Sequence, residues 1–237
     1  MRTALLLLAT CAFAQPPSIS QQPSFEAATI KPSKSQPGRS ATHSRPGMVV
    51  LTGKTLKGLI CSAYDVKEFQ VSGGPKWLDD DRYDINAKAE GATTGVQRMT
   101  MLQTLLADRF QLAIHHEQRL GPAYALVPVK SGLKIKPVEG SPGTNSHGGK
   151  GQLTVTGMPM PELADLLSRE LKTLVVDFTA TSGAFDFKLE WSIEGDSNDA
   201  QSALFAALQS QLGLKLESRK LPVDLIVVDR AEKPSEN

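Results

Sequence analysis

Hydrophobic residues along this chain recur at two spacings, one of two residues and one of three to four. The shorter spacing predicts half-buried strands, as where Tyr83, Ile85 and Ala87 alternate with Asp84, Asn86 and Lys88, and again from Phe185 to Trp191. The longer spacing predicts four helices. One starts at a Thr55 cap and carries Leu56, Leu59, Ile60 and Ala63 to about Tyr64; the next spans 96–110 with Met99, Leu102, Leu105, Leu106 and Phe110. The third covers 161–171 with Leu163, Leu166, Leu167 and Leu171, and the fourth covers 200–212 with Leu204, Leu208 and Leu212, stopped by Gly213. Short apolar runs predict further strands at 25–31, 48–51, 69–71, 112–119, 124–130, 133–136, 153–155, 174–178, 214–218 and 223–228. Turns are expected at Thr52-Gly53, Gly121-Pro122, Thr156-Gly157 and Leu221-Pro222, and residues 33–47 read as an exposed loop.

The pattern occurs twice. Val50-Leu51-Thr52-Gly53 returns as Val155-Thr156-Gly157, Arg82-Tyr83-Asp84-Ile85 as Ala184-Phe185-Asp186-Phe187, and the segment around Leu105–Leu112 as that around Leu208–Lys215, each about a hundred residues downstream. The expected fold is therefore α+β, with two tandem pseudo-repeats, each a two-layer sandwich of order βαββαββ. The expected boundaries are a signal peptide over 1–14, a flexible leader over 15–23, a first repeat over 24–137, a Gly/Ser/Pro linker over 138–151, a second repeat over 152–232 and a tail over 233–237.

The signal reading rests on Arg2, the apolar run Ala4–Ala12 and the Ala12-Phe13-Ala14 cleavage pattern before Gln15. That run is well short of the ~20 residues a membrane-crossing helix needs, so a periplasmic or secreted protein without an integral membrane segment is expected. Lipid anchoring through Cys11 is the alternative. Removing residues 1–14 takes Arg2 away and leaves acidic and basic residues balanced, which gives no pull toward nucleic acid. Cys61 is then the one cysteine left, placed within an apolar helix face, so it reads as a buried thiol rather than a nucleophile or half of an internal disulfide.

Val71-Ser72-Gly73-Gly74-Pro75-Lys76-Trp77-Leu78, Met101–Phe110, Phe205–Ser218 and Val227–Pro234 resemble a soil-associated acidobacterial family of exported proteins, over residues 24 to 235. That resemblance implies export and membership of a large paralogous set, and it supplies no activity or catalytic residue. The pattern Pro161–Leu171, Val175-Val176-Asp177 and Phe185–Leu189 is in turn similar to the short N-terminal domain of secretins and of TonB-dependent signal-transducing receptors, which are protein-contact modules of the periplasm.

Candidate chemistry is sparse. There is no Gly-x-Ser-x-Gly, Ser-x-x-Lys or His-Glu-x-x-His motif and no phosphate loop. His115-His116-Glu117 lies on a predicted strand, where successive side chains face opposite ways, so the pair does not converge on one ion; His43 and His147 are the other candidates for a zinc site. Asp79-Asp80-Asp81 beside Trp77 offers oxygen ligands of the kind calcium takes, and Gly73-Gly74 fixes a tight path into that loop. Gly73, Gly74, Trp77, Asp79, Asp80 and Asp81 are therefore the expected binding residues, with no catalytic residue, metal ligand set or cofactor assigned. The expected function is a non-enzymatic exported module contacting a protein or envelope component through loops or sheet edges, with 223–228 and 153–155 as candidate edges. The alternatives are a small-ligand sensor in the groove between the halves or a hydrolase built on Asp80, Asp84 or Asp186.

Overall fold

The computed structural model describes residues 22–36, 38–139, 143–149 and 151–234. The expected signal peptide, its Ala14–Gln15 junction and Cys11 lie outside the described residues. In chain order the elements are β1 (Ala27–Pro32), β2 (Ala41–Arg45), β3 (Met48–Thr55), α1 (Leu56–Tyr64), β4 (Val71–Gly73), α2 (Trp77–Asp80), β5 (Arg82–Lys88), α3 (Gly95–Phe110), β6 (Ala113–Pro128), β7 (Pro137–Val138), β8 (Asn145–Gly149), β9 (Gln152–Pro159), α4 (Met160–Leu171), β10 (Leu174–Asp177), β11 (Ala184–Glu190), α5 (Ser197–Ala207) and β12 (Leu214–Arg230). The fold is α+β. Among the described residues no helix is long and apolar enough to cross a membrane.

The four predicted helices form where the apolar spacing places them, as α1, α3, α4 and α5, and their ends show why. The Thr55 hydroxyl accepts the Gly58 N–H at 3.1 Å, and Thr94 and Gln97 close a reciprocal capping box on α3. Asp196 caps α5, with Asp199 completing the box. Beyond α5 a π-turn over Leu208–Leu212 ends at Gly213, which adopts φ 71°.

Two antiparallel sheets share one plan: β1-β5-β3-β2 in the first half and β7-β11-β9-β8 in the second. A third sheet, β10-β6-β12-β4, draws on both halves. Its centre is the antiparallel ladder of β6 on β12, running from Leu214 opposite Pro128 to Val228 opposite Ile114. β4 joins β12 in parallel through Val71–Gly73, and β10 joins β6 in parallel through Leu174–Asp177. Each short strand thus crosses to the long strand of the other half.

The buried residues form two cores. One gathers Ile30, Leu51 and Ile85 of the first outer sheet, Leu56, Leu59 and Ile60 of α1 and Leu106 and Phe110 of α3, closed by Ile226 and Val228 of β12. The other gathers Val155, Phe185 and Leu189, Leu163 and Leu167 of α4 and Leu204 and Leu208 after β11, closed by Leu126 of β6. Each core is therefore closed by residues that belong to the opposite half of the chain.

Several sequence expectations change. Gly121-Pro122 and Leu221-Pro222 are not turns, so the last two strands of each half are one long strand. Each proline lies where its strand has a neighbour on one side only, and a missing N–H is tolerated there. Residues 133–136 form no strand. The supposed loop 33–47 contains β2, and the supposed linker contains β8 and begins within β7. Thr52-Gly53 and Thr156-Gly157 are not turns either. The ladder slips between Leu51 and Lys54 and between Phe187 and Phe185, with Gly53 at φ 65° and Gly157 at φ 66°, so both are β-bulges.

Candidate functional site

Where the sequence points to binding at Gly73–Asp81, the structure builds a clasp. Gly73 and Gly74 adopt φ 76° and 74°, and a Cβ on either would press on Val228 of β12 or on Leu78. Trp77 opens the short helix α2 rather than standing on a loop, and it packs against the first core. The Lys233 ammonium lies 5.7 Å from the Trp77 ring centroid and 2.6 Å from Asp81, while Lys57 holds Asp79 at 3.0 Å. Asp80 alone of the three acids points to solvent with no ion pair. The segment anchors β4 and the C-terminal Lys233 to the first core, and its carboxylates do not converge on a point. Among the described residues no three His, Cys, Asp or Glu side chains gather closely enough to hold a metal ion.

The histidines part as the strand geometry requires. His115 Nδ1 lies 2.9 Å from the Asp229 carboxylate, whereas His116 turns the other way and meets Tyr64 edge-on at 6.4 Å. Asp84 and Asp186, candidates for acid–base chemistry, each accept a glycine N–H at a bulge, at 2.8 and 2.7 Å. Burial pushes the Cys61 thiol up to about 11, with Glu68 adding to the shift, so at neutral pH it is a protonated apolar group.

Of the segments 223–228 and 153–155, only residues 223–225 lack a strand on one side among the described residues. The first lies between β6 and, at Ile226–Val228, β4; the second lies between β11 and β8. The open edges of the outer sheets are β2 and β8 on one side and β1 and β7 on the other. Every residue of β8 is exposed, and its sequence Asn-Ser-His-Gly-Gly carries none of the charge or proline that commonly blocks an edge. His43 of β2 and His147 of β8 occupy corresponding edge positions, opposite Val50 and Thr154.

Beside β8 the sheet ends in an apolar groove of about 600 Å³. Gly148, Gly149 and Leu153 of the β8–β9 hairpin form one wall, Leu166 of α4 a second, and Trp191 with Ile193 a third. Ile193 is 45% exposed. It continues the inward alternation Phe185, Phe187, Leu189, Trp191 past the end of β11, where no strand lies alongside to cover it. A second cavity of about 330 Å³ adjoins the first across Trp191 and Ile193 and opens toward Ser197 and Gln201 of α5. The combination, among the described residues, is a strand edge with a neighbour on one side only next to a cavity lined mostly by apolar groups. The β8 edge escapes sequence reasoning because its residues have no hydrophobic period. The groove had a visible signal in the run of alternating apolar residues from Phe185 to Ile193.

The chain belongs to the family described as "Protein of unknown function (DUF3738)", whose profile matches residues 57–231. The match runs from α1 to the end of β12, so it includes the shared sheet and the second half but leaves out β1, β2 and β3. No curated protein and no solved structure gives a significant match.

Proposed function

We propose that this DUF3738 protein is an exported, non-enzymatic binding module that takes an extended segment of a protein partner onto the free edge of β8. Main-chain hydrogen bonds along Asn145–Gly149 provide the affinity, and an apolar side chain of the partner enters the groove at Leu166, Trp191 and Ile193 to provide selectivity. The observation that carries this reading is the adjacency of a fully exposed, uncharged strand edge and an apolar cavity. Export rests on the N-terminal pattern Arg2 to Ala14. The resemblance of the pattern over 161–189 to periplasmic protein-contact domains agrees with a partner in the cell envelope.

A carboxylate-dependent hydrolase draws less support. Asp84 and Asp186 are engaged with Gly53 and Gly157 in opposite halves, and Asp79 and Asp81 are held by lysines. General acid–base work needs a pair of free carboxyl groups facing one cleft.

The test is selection from a displayed library of short peptides, followed by hydrogen exchange with the best binder present. The expected binder is extended, carries a large apolar residue, and slows amide exchange within 145–149. Binders that protect other segments and leave 145–149 unchanged would refute the β8 site.

A further inference from the structure

Another cavity, of about 460 Å³, is lined by residues of both halves and is independent of the β8 edge. Its size falls within the range of small-molecule sites, roughly 300–1,000 Å³. Cys61, Val66 and Phe69 supply an apolar floor from the first half. Four cations surround that floor: Lys57 and Lys67 from the first half, Arg169 and Lys172 from the second. Three carboxylates stand against them. Asp79 is paired with Lys57, Asp165 bridges Lys67 and Arg169 across the halves, and Glu68 lines the wall itself. Four positive charges against three negative ones leave an excess of one positive charge. Lys172 carries it most directly, because it ends α4 in the left-handed conformation, at φ 50°, exposed and with no ion pair.

We infer that this groove binds an amphiphilic monoanion, with its carboxylate at Lys172 and Arg169 and its hydrocarbon over Cys61, Val66 and Phe69. The argument joins two requirements. An apolar floor alone would take any hydrophobe, and surface lysines alone would take any anion weakly. Placed together around one concavity, they select a molecule that has both parts. The Asp165 bridge adds a consequence. A carboxylate at Arg169 competes with Asp165, so occupancy alters the contact that ties Lys67 of one half to α4 of the other.

The experiment is calorimetric titration of the purified protein with decanoate, decyltrimethylammonium and inorganic phosphate. In parallel, alkylation of Cys61 by iodoacetamide is followed by mass spectrometry of the Cys61 peptide. Decanoate is expected to bind one per chain, at least tenfold tighter than either comparator, and to slow Cys61 alkylation at least threefold. Lys172→Glu is expected to weaken decanoate at least tenfold; its position is exposed, so circular dichroism and the melting temperature should match the parent. Cys61→Phe, which fills the floor, should abolish binding, and should be read only if its melting curve stays cooperative. The proposal is overturned if decyltrimethylammonium binds as well as decanoate, if phosphate alone does, or if Lys172→Glu leaves decanoate affinity unchanged. It is equally overturned if the protein sediments with phosphatidylglycerol vesicles but does not bind free decanoate, since the anion recognised would then be a membrane surface.

Discussion

The carboxylate of Asp84 accepts the backbone N–H of Gly53 at 2.8 Å, across the bulge that Gly53 makes in β3. Asp186 does the same for Gly157 at 2.7 Å in the other half. A bulge leaves one residue outside the ladder, and its amide must find a partner. The partner strand provides one at the corresponding place in each half. The surroundings of the glycine carbonyls differ: Arg82 donates to that of Gly53 at 2.8 Å, whereas the Thr144 hydroxyl, 3.2 Å from that of Gly157, has its single proton closer to the Glu162 carboxylate, at 2.7 Å. The amide contact is therefore common to both halves, while the contact beside it differs.

Asp84→Ala and Asp186→Ala should each destabilise the protein by about 1.5–3 kcal/mol, the range for hydrogen bonds to charged groups. Gly53→Ala should cost more than Asp84→Ala. It forces an L side chain to φ 65° and drives its Cβ into the Arg39 carbonyl and the Ser35 side chain. Asp80→Ala, which removes an exposed acid without a partner, should stay within about 0.5 kcal/mol of the parent. Urea unfolding at pH 7 measures all four.

The shared sheet predicts that the two halves unfold as one cooperative unit. β4 depends on β12, β10 depends on β6, and each core is closed by the opposite half. The chain has two tryptophans, Trp77 beside the first core and Trp191 beside the second. Trp77→Phe and Trp191→Phe therefore leave one fluorescent reporter in each half. Their guanidinium transitions, each referenced to the variant's circular dichroism, are expected to coincide. Tandem domains folding separately would give two midpoints, one for each reporter.

Stability should fall with rising pH in the alkaline range. Burial pushes the Cys61 thiol from its ordinary 9.0 up to about 11. Burial, with Asp81 nearby, pushes the Tyr83 hydroxyl from 10.0 up to about 12. Both groups keep their protons longer in the folded chain than in the unfolded one, so above about pH 9 the folded state binds more protons and unfolding gains with each unit of pH. The stabilisation is complete below pH 9 and is lost progressively toward pH 11 to 12. Melting temperatures measured from pH 7 to 11 should be flat and then decline, and Cys61→Ala should reduce the early part of the decline. The rate of Cys61 alkylation should rise through the same window, well above the range of an exposed thiol.

The helices were legible because a buried face imposes a period that few other constraints disturb, as Leu56, Leu59, Ile60 and Ala63 show. Gly213 was legible as a stop because the left-handed cap favours glycine. The edge strands β2 and β8 were missed for one reason: Thr42-His43-Ser44 and Ser146-His147-Gly148 face water on both sides and leave no alternation to read. The prolines of β6 and β12 misled, since a Gly-Pro or Leu-Pro step signals a turn locally and only the neighbouring strands decide otherwise. Strand exchange had no local signal at all. Nothing in Val71-Ser72-Gly73 distinguishes pairing with β6 from pairing with β12, and that choice is made by the packing of the whole chain. At the expected site, Trp77 and the acids stand out along the chain, but the lysines that pair with Asp79 and Asp81, Lys57 and Lys233, are distant in sequence.

Proline substitution gives the sharpest test of the β8 edge. Ser146 and His147 are successive residues on an edge strand, paired with Val155 and Thr154 on one side only. In an antiparallel edge strand one of two successive residues directs its N–H toward the neighbouring strand and the other directs it outward. Ser146→Pro and His147→Pro therefore separate the two functions of the strand. The substitution at the outward position removes a donor that only a partner would use. It should lower peptide affinity at least tenfold while the melting temperature changes little. The substitution at the inward position breaks the ladder to β9 and should lower both. Trp191→Ala, which empties one wall of the groove, should weaken peptides with large apolar residues more than peptides with alanine in their place. Fluorescence anisotropy with one labelled peptide and its alanine variant, set beside melting curves for the same proteins, decides the matter. If neither proline alters affinity, the peptide does not pair with β8.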